Sequence, residues 1–195
     1  MKKLVGLTGK TGAGKSTVSK YLQEKGAYII DGDIVARQVL TEDKNLIPRL
    51  CEAFGDILTT DGTLDRKALA RAAFSAPEST ALLNSLMHPA INSFIRKQAE
   101  KAFEDSDVVV VDAAAIIESG FADECDILLV AHAPVEVRKS RVMARDNISE
   151  SDALVRINGQ KEDDFYLSRA DYIIRNYPPY ELKKELLPVL KELFN

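Results

Sequence analysis

The sequence has few of the features that mark secreted, metal-binding or membrane-spanning chains. It contains only two cysteines, Cys51 and Cys125, whose spacing fits no metal site, so both are expected to be reduced thiols. The longest apolar runs, at residues 108–111 and 127–131, are far too short to cross a bilayer. The apolar start of the chain gives way to glycine-rich sequence before it can form a signal peptide. We therefore expect a cytoplasmic protein that contacts no membrane.

The sequence also lacks a strongly basic segment. Its 26 lysines and arginines are outnumbered by 30 aspartates and glutamates, which gives a net charge of −4. Binding of nucleic acid is therefore not expected. There is no repeat or low-complexity segment, and 195 residues with 46% apolar content fit one soluble globular domain. We expect a small-molecule partner and a monomer or weak homo-oligomer.

The sequence does contain a complete P-loop motif, G-x-x-x-x-G-K-[ST], at residues 9–16. An apolar segment precedes the motif, and a helical pattern with Val18, Tyr21 and Leu22 on one face follows it. Glycines let successive backbone N–H groups point at phosphate oxygens, and a helix N-terminus adds partial positive charge. The alternative, a glycine-rich turn that binds nothing, is disfavoured by this context. We expect a nucleoside triphosphate to contact Gly9, Thr11, Gly12, Ala13, Gly14, Lys15, Ser16 and Thr17.

Two side chains of the motif have expected tasks of their own. Lys15 is expected to reach the outer phosphates, where it stabilises the transferred group. The Ser16 hydroxyl is expected to bind Mg²⁺. The motif thus predicts a nucleoside triphosphate and Mg²⁺ as the bound groups.

Alternating strand and helix patterns predict an α/β fold. Four of the five candidate strands are continuous apolar runs, which are typical of parallel strands covered on both faces. We predict a single domain with three α/β/α layers and a five-stranded parallel sheet, whose core occupies about 1–40, 104–135 and 161–195. The predicted strands are residues 3–8, 27–31, 108–112, 127–131 and 172–175.

A long helical insertion, about 41–103, separates the second and third predicted strands. It is too long for a simple crossover, and it is the candidate acceptor-binding region. Within it, His88 stands beside Pro89, a pair more typical of a helix break than of catalysis. The helices predicted in this insertion are residues 45–54, 66–74 and 77–103.

In a second segment, about 136–160, the sequence pattern predicts two helices with a break near residues 147–149. Ser149 has the position of an N-cap for the second of these helices. Arg138, Arg141 and Arg145 share one face of the first helix, because their spacing is i, i+3 and i+7. Such a stripe is either a solvated basic face or a set of arginines that clamp phosphate oxygens. Its place between two strands of a P-loop core favours a lid that closes over the nucleotide and excludes water.

Acidic residues follow two of the predicted strands. Ligands bind at the carboxyl ends of the strands in an open parallel sheet, so Asp31, Asp33 and Asp112 are expected near the phosphates. We favour Asp33 as the general base for an attacking hydroxyl, because Asp31 still belongs to the strand; the alternative is that Asp33 caps the next helix. Asp112 is a candidate for the Mg²⁺ shell. Glu118 is a further candidate, although a solvated helix residue fits its position nearly as well.

Taken together, these residues resemble the dephospho-CoA kinases of bacteria, and the likeness runs almost from end to end. The P-loop occurs in many kinases, whereas the segments D-G-x-L-D-R and H-P are much more specific. The resemblance therefore predicts a P-loop kinase domain. The shared segments are I-D-x-D-x-x-A-R at residues 30–37, F-G at 54–55, D-G-T-L-D-R at 61–66, L-N-x-x-x-H-P at 83–89, R-x-x-A-R-D at 141–146, A-D at 170–171 and Asn176.

The resemblance implies transfer of the γ-phosphoryl group of ATP, with Mg²⁺, to the ribose 3′-hydroxyl of dephospho-CoA, the last step of coenzyme A synthesis. It implies catalytic roles for Lys15, Asp33 and Arg141, and it puts Asn176 near the adenine of ATP. A P-loop kinase for another nucleoside or nucleotide-like acceptor is the alternative. The acceptor contacts that the resemblance implies are Thr8, Asp33, Arg37, Asp65, His88 and Glu118.

The sequence departs from the family pattern in three places. Before Glu118, the family's P-L-L-F is replaced by A-A-I-I at residues 114–117. After Asn176, Tyr177-Pro178-Pro179 replaces a loop that usually contains glycine, and Arg138 stands where a glutamine is common. These changes concern the acceptor and adenine ends and leave the phosphate-binding residues intact.

Overall fold

A computed structural model describes residues 1–194 and shows a single five-stranded sheet. The strands are ordered β2-β3-β1-β4-β5, and every neighbouring pair is parallel. The predicted five-stranded parallel sheet is confirmed, and each strand agrees with its predicted bounds to within one residue. The strands are β1 (Lys3–Thr8), β2 (Tyr28–Asp31), β3 (Val108–Asp112), β4 (Ile127–His132) and β5 (Tyr172–Arg175).

Helices connect the strands, and none within residues 1–194 has the length and apolar character that a membrane span needs. The helices predicted in the insertion and the lid correspond to α3 to α7. The short α8 and a 3₁₀ helix at Phe121–Glu124 were not predicted, because neither is long enough to show a periodic pattern. In chain order the α-helices are α1 (Lys15–Glu24), α2 (Gly32–Glu42), α3 (Leu46–Phe54), α4 (Arg66–Ala73), α5 (Pro77–Ala102), α6 (Val135–Asp146), α7 (Glu150–Asn158), α8 (Asp163–Leu167) and α9 (Leu182–Leu193).

The chain forms two compact units. The first, which we call the sheet unit, comprises Met1–Asp31 and the chain from Ala99 onward. The second, which we call the helical unit, is Gly32–Gln98. The strands, α1 and α6 to α9 belong to the sheet unit, whereas α2 to α4 and most of α5 form the helical unit.

The sheet unit is stabilised by apolar side chains that alternate along its strands. These side chains pack against α1 and α9, and each contributes about 1.5–3 kcal/mol when it is removed from water. This packing gives β1 and α1, and so the loop that joins them, a rigid base. The buried members of this core include Val5, Leu7, Val18, Leu22, Val108, Val110, Ile127, Leu129, Leu186 and Val189.

In the helical unit, α5 continues without interruption past His88 and Pro89. This agrees with the helix predicted at residues 77–103, and the pair of His88 and Pro89, although typical of a helix break, does not end the helix. Pro89 is exposed, so water can reach the carbonyl group that loses its helical partner. The segment that contains Asp61 and Gly62 turns back on itself, and an antiparallel bridge joins Leu58 to Leu64 on its two sides.

Candidate active site

The P-loop joins the carboxyl end of β1 to the start of α1. Helix α1 begins at Lys15, and Gly14 stands at its N-cap with φ 95° and ψ 29°. The first N–H groups of a helix have no partner within the helix, but in α1 the N–H of Thr17 already donates to the carbonyl of Gly14 (3.1 Å), so the groups that can meet a ligand there are those of Lys15 and Ser16. Together with the helix dipole, amides at such a helix N-terminus are suited to binding phosphate.

In the second half of the P-loop, Gly12 and Gly14 are required by both conformation and space. Gly12 has a φ of 78°, and a Cβ at this position would lie 2.6 Å from the carbonyl oxygen of Arg138. Gly14 has a φ of 95°, and a Cβ there would lie 2.2 Å from Nδ2 of Asn176. The loop backbone therefore packs directly against α6 and against the residue that follows β5.

Lys15, Ser16 and Thr17 form the first turn of α1. The side chains of Ser16 and Thr17 are exposed, and Lys15 is half-buried. Within residues 1–194, no group of three or more His, Cys, Asp or Glu side chains is arranged to hold a metal ion. A Mg²⁺ ion at this turn would take its ligands from a bound phosphate, from a hydroxyl group and from several water molecules.

Arg141 links α6 to the P-loop through hydrogen bonds. Its Nη1 donates hydrogen bonds to the carbonyl groups of Gly12 (3.2 Å) and Ala13 (3.4 Å). Its Nη2 donates to the carbonyl of Asn176 (2.5 Å), whose own Nδ2 donates to the carbonyl of Gly14 (3.4 Å). The structure thus brings the predicted Arg141 and Asn176 together at the second half of the loop.

The other two arginines of the predicted basic stripe have different surroundings. Arg138 is 1% exposed, and its Nε donates to the carbonyl of Ala133 (3.0 Å). Arg145 is exposed and donates two hydrogen bonds, of 2.7 and 2.9 Å, to the carboxylate of Asp146. The three arginines therefore do not act as one basic face.

Two further contacts to the P-loop come from the segment between α7 and α8. The N–H of Thr11 donates to Oε1 of Gln160 (2.7 Å), and Nζ of Lys10 lies 2.9 Å from Oδ1 of Asp163. Nη2 of Arg138 lies 3.7 Å from the same carboxylate oxygen. The sequence interpretation missed Lys10 and Asp163. The sequence offers no local signal for this pair, because its two members lie far apart in the chain.

Carboxylates stand side by side at the carboxyl edge of the sheet. The strand register pairs Asp31 with Asp112, and Asp112 with Leu7, the residue before Thr8. Thr8 is completely buried, and its Oγ1 donates to the carbonyl of Ala114 (3.0 Å). The Thr8 hydroxyl therefore holds the segment that follows β3 against the end of β1.

Glu118 is exposed and accepts a hydrogen bond from the hydroxyl of Tyr166 (3.2 Å). Tyr166 lies on α8 and is 3% exposed. Burial and the neighbouring Glu118 raise the pKa of Tyr166 to about 12, so its hydroxyl remains a donor at neutral pH. Glu118 is thus attached to α8.

The helical unit contains the remaining predicted residues. Asp33 lies in the first turn of α2 with an exposed side chain, and Arg37 donates from Nε to the carbonyl of Asp33 (3.2 Å). Asp65 is the N-cap of α4, where its Oδ1 accepts two backbone N–H groups at 2.9 and 3.0 Å. These backbone hydrogen bonds lower the pKa of Asp65. His88 is half-buried within α5.

Comparison with known proteins identifies the family. The profile of dephospho-CoA kinases matches residues 3–179. The chain belongs to the dephospho-CoA kinase family. A dephospho-CoA kinase of Corynebacterium jeikeium is 40% identical over 173 residues, which cover 88% of this chain and 89% of the relative.

Solved structures agree with the dephospho-CoA kinase family. A Thermus thermophilus protein of known crystal structure superposes with a TM-score of 0.83 and 30% identity, over 100% of this chain and 99% of its own. Dephospho-CoA kinase from Campylobacter jejuni gives a TM-score of 0.70 and 25% identity, over 98% and 97% of the two chains. The predicted P-loop kinase fold is therefore confirmed.

In this member of the dephospho-CoA kinase family, the predicted nucleotide-binding residues all belong to the sheet unit. The P-loop, Arg141 and Asn176 are joined there by hydrogen bonds. Four of the predicted acceptor residues belong to the helical unit, namely Asp33, Arg37, Asp65 and His88. The roles of the individual residues in the reaction remain predictions.

Proposed function

We propose that this protein transfers the γ-phosphoryl group of ATP to the ribose 3′-hydroxyl of dephospho-CoA, forming coenzyme A and ADP. The family match spans residues 3–179 and so includes both the P-loop and the helical unit, which supports this acceptor. The observation that carries the proposal is the intact P-loop, braced by Arg141 and Asn176, in a chain that matches this family over most of its length.

ATP is proposed to bind along the P-loop. The loop amides and Lys15 neutralise its phosphates, and the exposed start of α1 is open to them. Asn176 is proposed to lie near the adenine, as the resemblance to the family implies, and its hydrogen bonds with Gly14 and Arg141 hold it beside the loop. Arg141 is proposed to shape the loop and to add positive potential to it.

Mg²⁺ is proposed to arrive with ATP. The Ser16 hydroxyl is exposed in the first turn of α1 and is the kind of hard oxygen ligand that Mg²⁺ accepts. Asp31 and Asp112, adjacent at the sheet edge, are the candidates to orient its water shell. When bound, the ion neutralises charge on the phosphates of ATP.

Asp33 is proposed as the group that positions and deprotonates the acceptor hydroxyl. A carboxylate is a weak base, but phosphoryl transfer has a loose transition state in which positioning matters most. As the 3′-oxygen attacks the γ-phosphorus, its proton passes to Asp33, and the bond to ADP breaks with its electron pair on the leaving oxygen. Closure of α6 and α7 over the nucleotide would exclude water and limit hydrolysis.

The other acceptor residues are proposed to act in two ways. Arg37, His88 and Glu118 are proposed to contact dephospho-CoA directly. Thr8 and Asp65 already use their side chains to hold the segment after β3 and the start of α4. They are therefore proposed to support the acceptor site by fixing these segments.

Mass spectrometry of dephospho-CoA incubated with ATP, Mg²⁺ and the protein tests the proposal. The expected product is one phosphoryl group heavier than the acceptor, with phosphorus NMR locating the new group at the 3′ position. A panel of nucleosides and nucleotides, followed by ADP release, provides the comparison. Faster ADP release with one of those acceptors, and no heavier dephospho-CoA, would show that the acceptor is wrong.

A further inference from the structure

Three basic side chains and one carboxylate meet beside the P-loop, where they line a common cavity: Lys10, His132, Arg138 and Asp163. The side chain of Lys10 is 11% exposed and that of Arg138 is 1% exposed, and both approach the Asp163 carboxylate. The space left among these side chains is about 10 Å³, room for no more than one water molecule. The side chain of Asp163 is 40% exposed, so water reaches the carboxylate from outside, whereas the two cations that approach it are mostly shielded from water.

Asp163 is the one carboxylate among the described residues that line this cavity. Burial opposes its ionisation, but Lys10, Arg138 and His132 together hold its pKa below the ordinary value. Burial also lowers the pKa of His132, so this imidazole is uncharged at neutral pH. Two cations thus share one carboxylate, and loss of its charge would leave two buried like charges facing each other.

Asp163 also belongs to a segment that is fastened to the loop at a second point. Asp163 begins α8, and Gln160, just before it, accepts the N–H of Thr11. Arg138 belongs to α6, and its own backbone lies in close contact with Gly12. The first half of the P-loop is therefore held by the segments at both ends of the predicted lid.

We propose that Asp163 is a positioning residue for ATP, which acts through Lys10 and Arg138 to fix the first half of the P-loop against α6 and α8. We assign it no contact with the reacting atoms, because it works by keeping the loop amides in their binding orientation. The inference rests on the proposed function only in taking the P-loop as the ATP site. It does not depend on the identity of the acceptor.

The test compares Asp163→Asn, Lys10→Met and the double variant, with Asp164→Asn as the matched control on the exposed side of α8. Calorimetric titration with ATP gives the dissociation constant without any acceptor, and steady-state kinetics give KM for dephospho-CoA at saturating ATP. We expect Asp163→Asn to weaken ATP binding about tenfold and to leave KM for dephospho-CoA within about twofold, with no change in Asp164→Asn. A purely structural role would not produce this split.

The double variant shows whether Asp163 acts through Lys10. If the two residues act through one shared interaction, either single substitution already removes it. The double variant should therefore bind ATP no more weakly than whichever single variant binds it less tightly. Losses that multiply, or an Asp163→Asn protein with normal ATP affinity, would overturn the proposal. If Asp163→Asn does not fold, Asp163→Glu and Lys10→Met replace it. Weakened ATP binding in Lys10→Met with near-normal binding in Asp163→Glu would support the proposal. Normal binding in Lys10→Met with weakened binding in Asp163→Glu would refute it.

A wild-type protein that binds ATP but leaves dephospho-CoA unchanged would contradict the proposed function and not the role given to Asp163.

Discussion

Asp33 has an exposed carboxylate in the first turn of α2, two residues after Asp31 at the end of β2. Asp33→Asn keeps the shape of the side chain and removes the proposed base. We expect kcat for dephospho-CoA to fall about 10²-fold or more, with little change in the affinity for ATP. Steady-state turnover and calorimetric titration with ATP measure the two quantities.

Asp31→Asn is the matched control, because it makes the same change at the last residue of β2. We expect a smaller loss of turnover, since this side chain is assigned to the water shell of Mg²⁺. A large loss in Asp31→Asn together with nearly normal turnover in Asp33→Asn would give the role of base to Asp31.

Arg141→Lys should weaken ATP binding about tenfold while keeping the positive charge. The planar guanidinium bonds to the carbonyl groups of Gly12, Ala13 and Asn176 at once, which a single ammonium group cannot reproduce. Arg145→Lys on the same helix is the control, because its exposed pairing with Asp146 is worth less than about 1 kcal/mol. Calorimetry with ATP should show no change for Arg145→Lys, and equal affinities in both variants would contradict the role given to Arg141.

Single residues were predictable from the sequence where their chemistry lies in one continuous motif. Lys15 and Ser16 could be assigned from eight consecutive residues, because the P-loop needs only its own backbone and the next helix. The pairing of Lys10 with Asp163 could not be predicted from the sequence, because the two residues come from opposite ends of the chain and no local pattern links them. Arg138 has the spacing of an exposed stripe, yet it is buried because α6 packs onto the loop at this residue.

At the level of elements, the strands were predicted closely because their interiors are unbroken apolar runs. The four valines of β3 are each 0–1% exposed, which leaves little freedom in where the strand lies. Helix α2 begins at Gly32, so Asp33 lies in its first turn, where a negative charge suits the helix N-terminus. Burial of α8 by distant segments gave no local signal.

Replacing Gly12 by alanine tests how tightly the P-loop must pack on α6. The backbone there has a φ of 78°, and the added Cβ would lie 2.6 Å from the carbonyl oxygen of Arg138, so the loop and the helix have to separate. We expect a loss of stability larger than the 1–2 kcal/mol or so that a left-handed alanine costs, and weaker binding of ATP. Thermal unfolding and calorimetry measure these effects.

Gly26→Ala separates the two causes. Gly26 has a φ of 102°, but a Cβ there would meet no atom within 4 Å. This variant should show the conformational cost alone, with unchanged affinity for ATP. If Gly12→Ala binds ATP as well as Gly26→Ala does, close packing of the loop on α6 is not needed for nucleotide binding.

For the whole molecule, stability should fall in two steps as the pH is lowered. Burial, supported by the charges of Arg138 and Lys10, lowers the pKa of His132, so the unfolded chain takes up this proton more readily than the native protein. Stability therefore declines as the pH falls below about 6.5. The second step comes from carboxylates whose native pKa is lowered. Their contribution is present above about pH 3.9 and is lost as the pH falls through their native pKa values. They are Asp61, Asp65, Asp146 and Asp163.

Urea unfolding at a series of pH values should separate the two steps by means of variants. His132→Asn should remove the upper step, whereas Asp164→Asn should leave both steps unchanged. Asp163→Asn should reduce the lower step and enlarge the upper one, because the Asp163 charge raises the pKa of His132 and its removal lets that pKa fall further. A wild-type stability that is constant between about pH 7 and pH 5 would show that His132 does not become harder to protonate on folding. The charge of Asp163 would then offset the burial of His132, and the upper step should appear only when Asp163→Asn removes that charge.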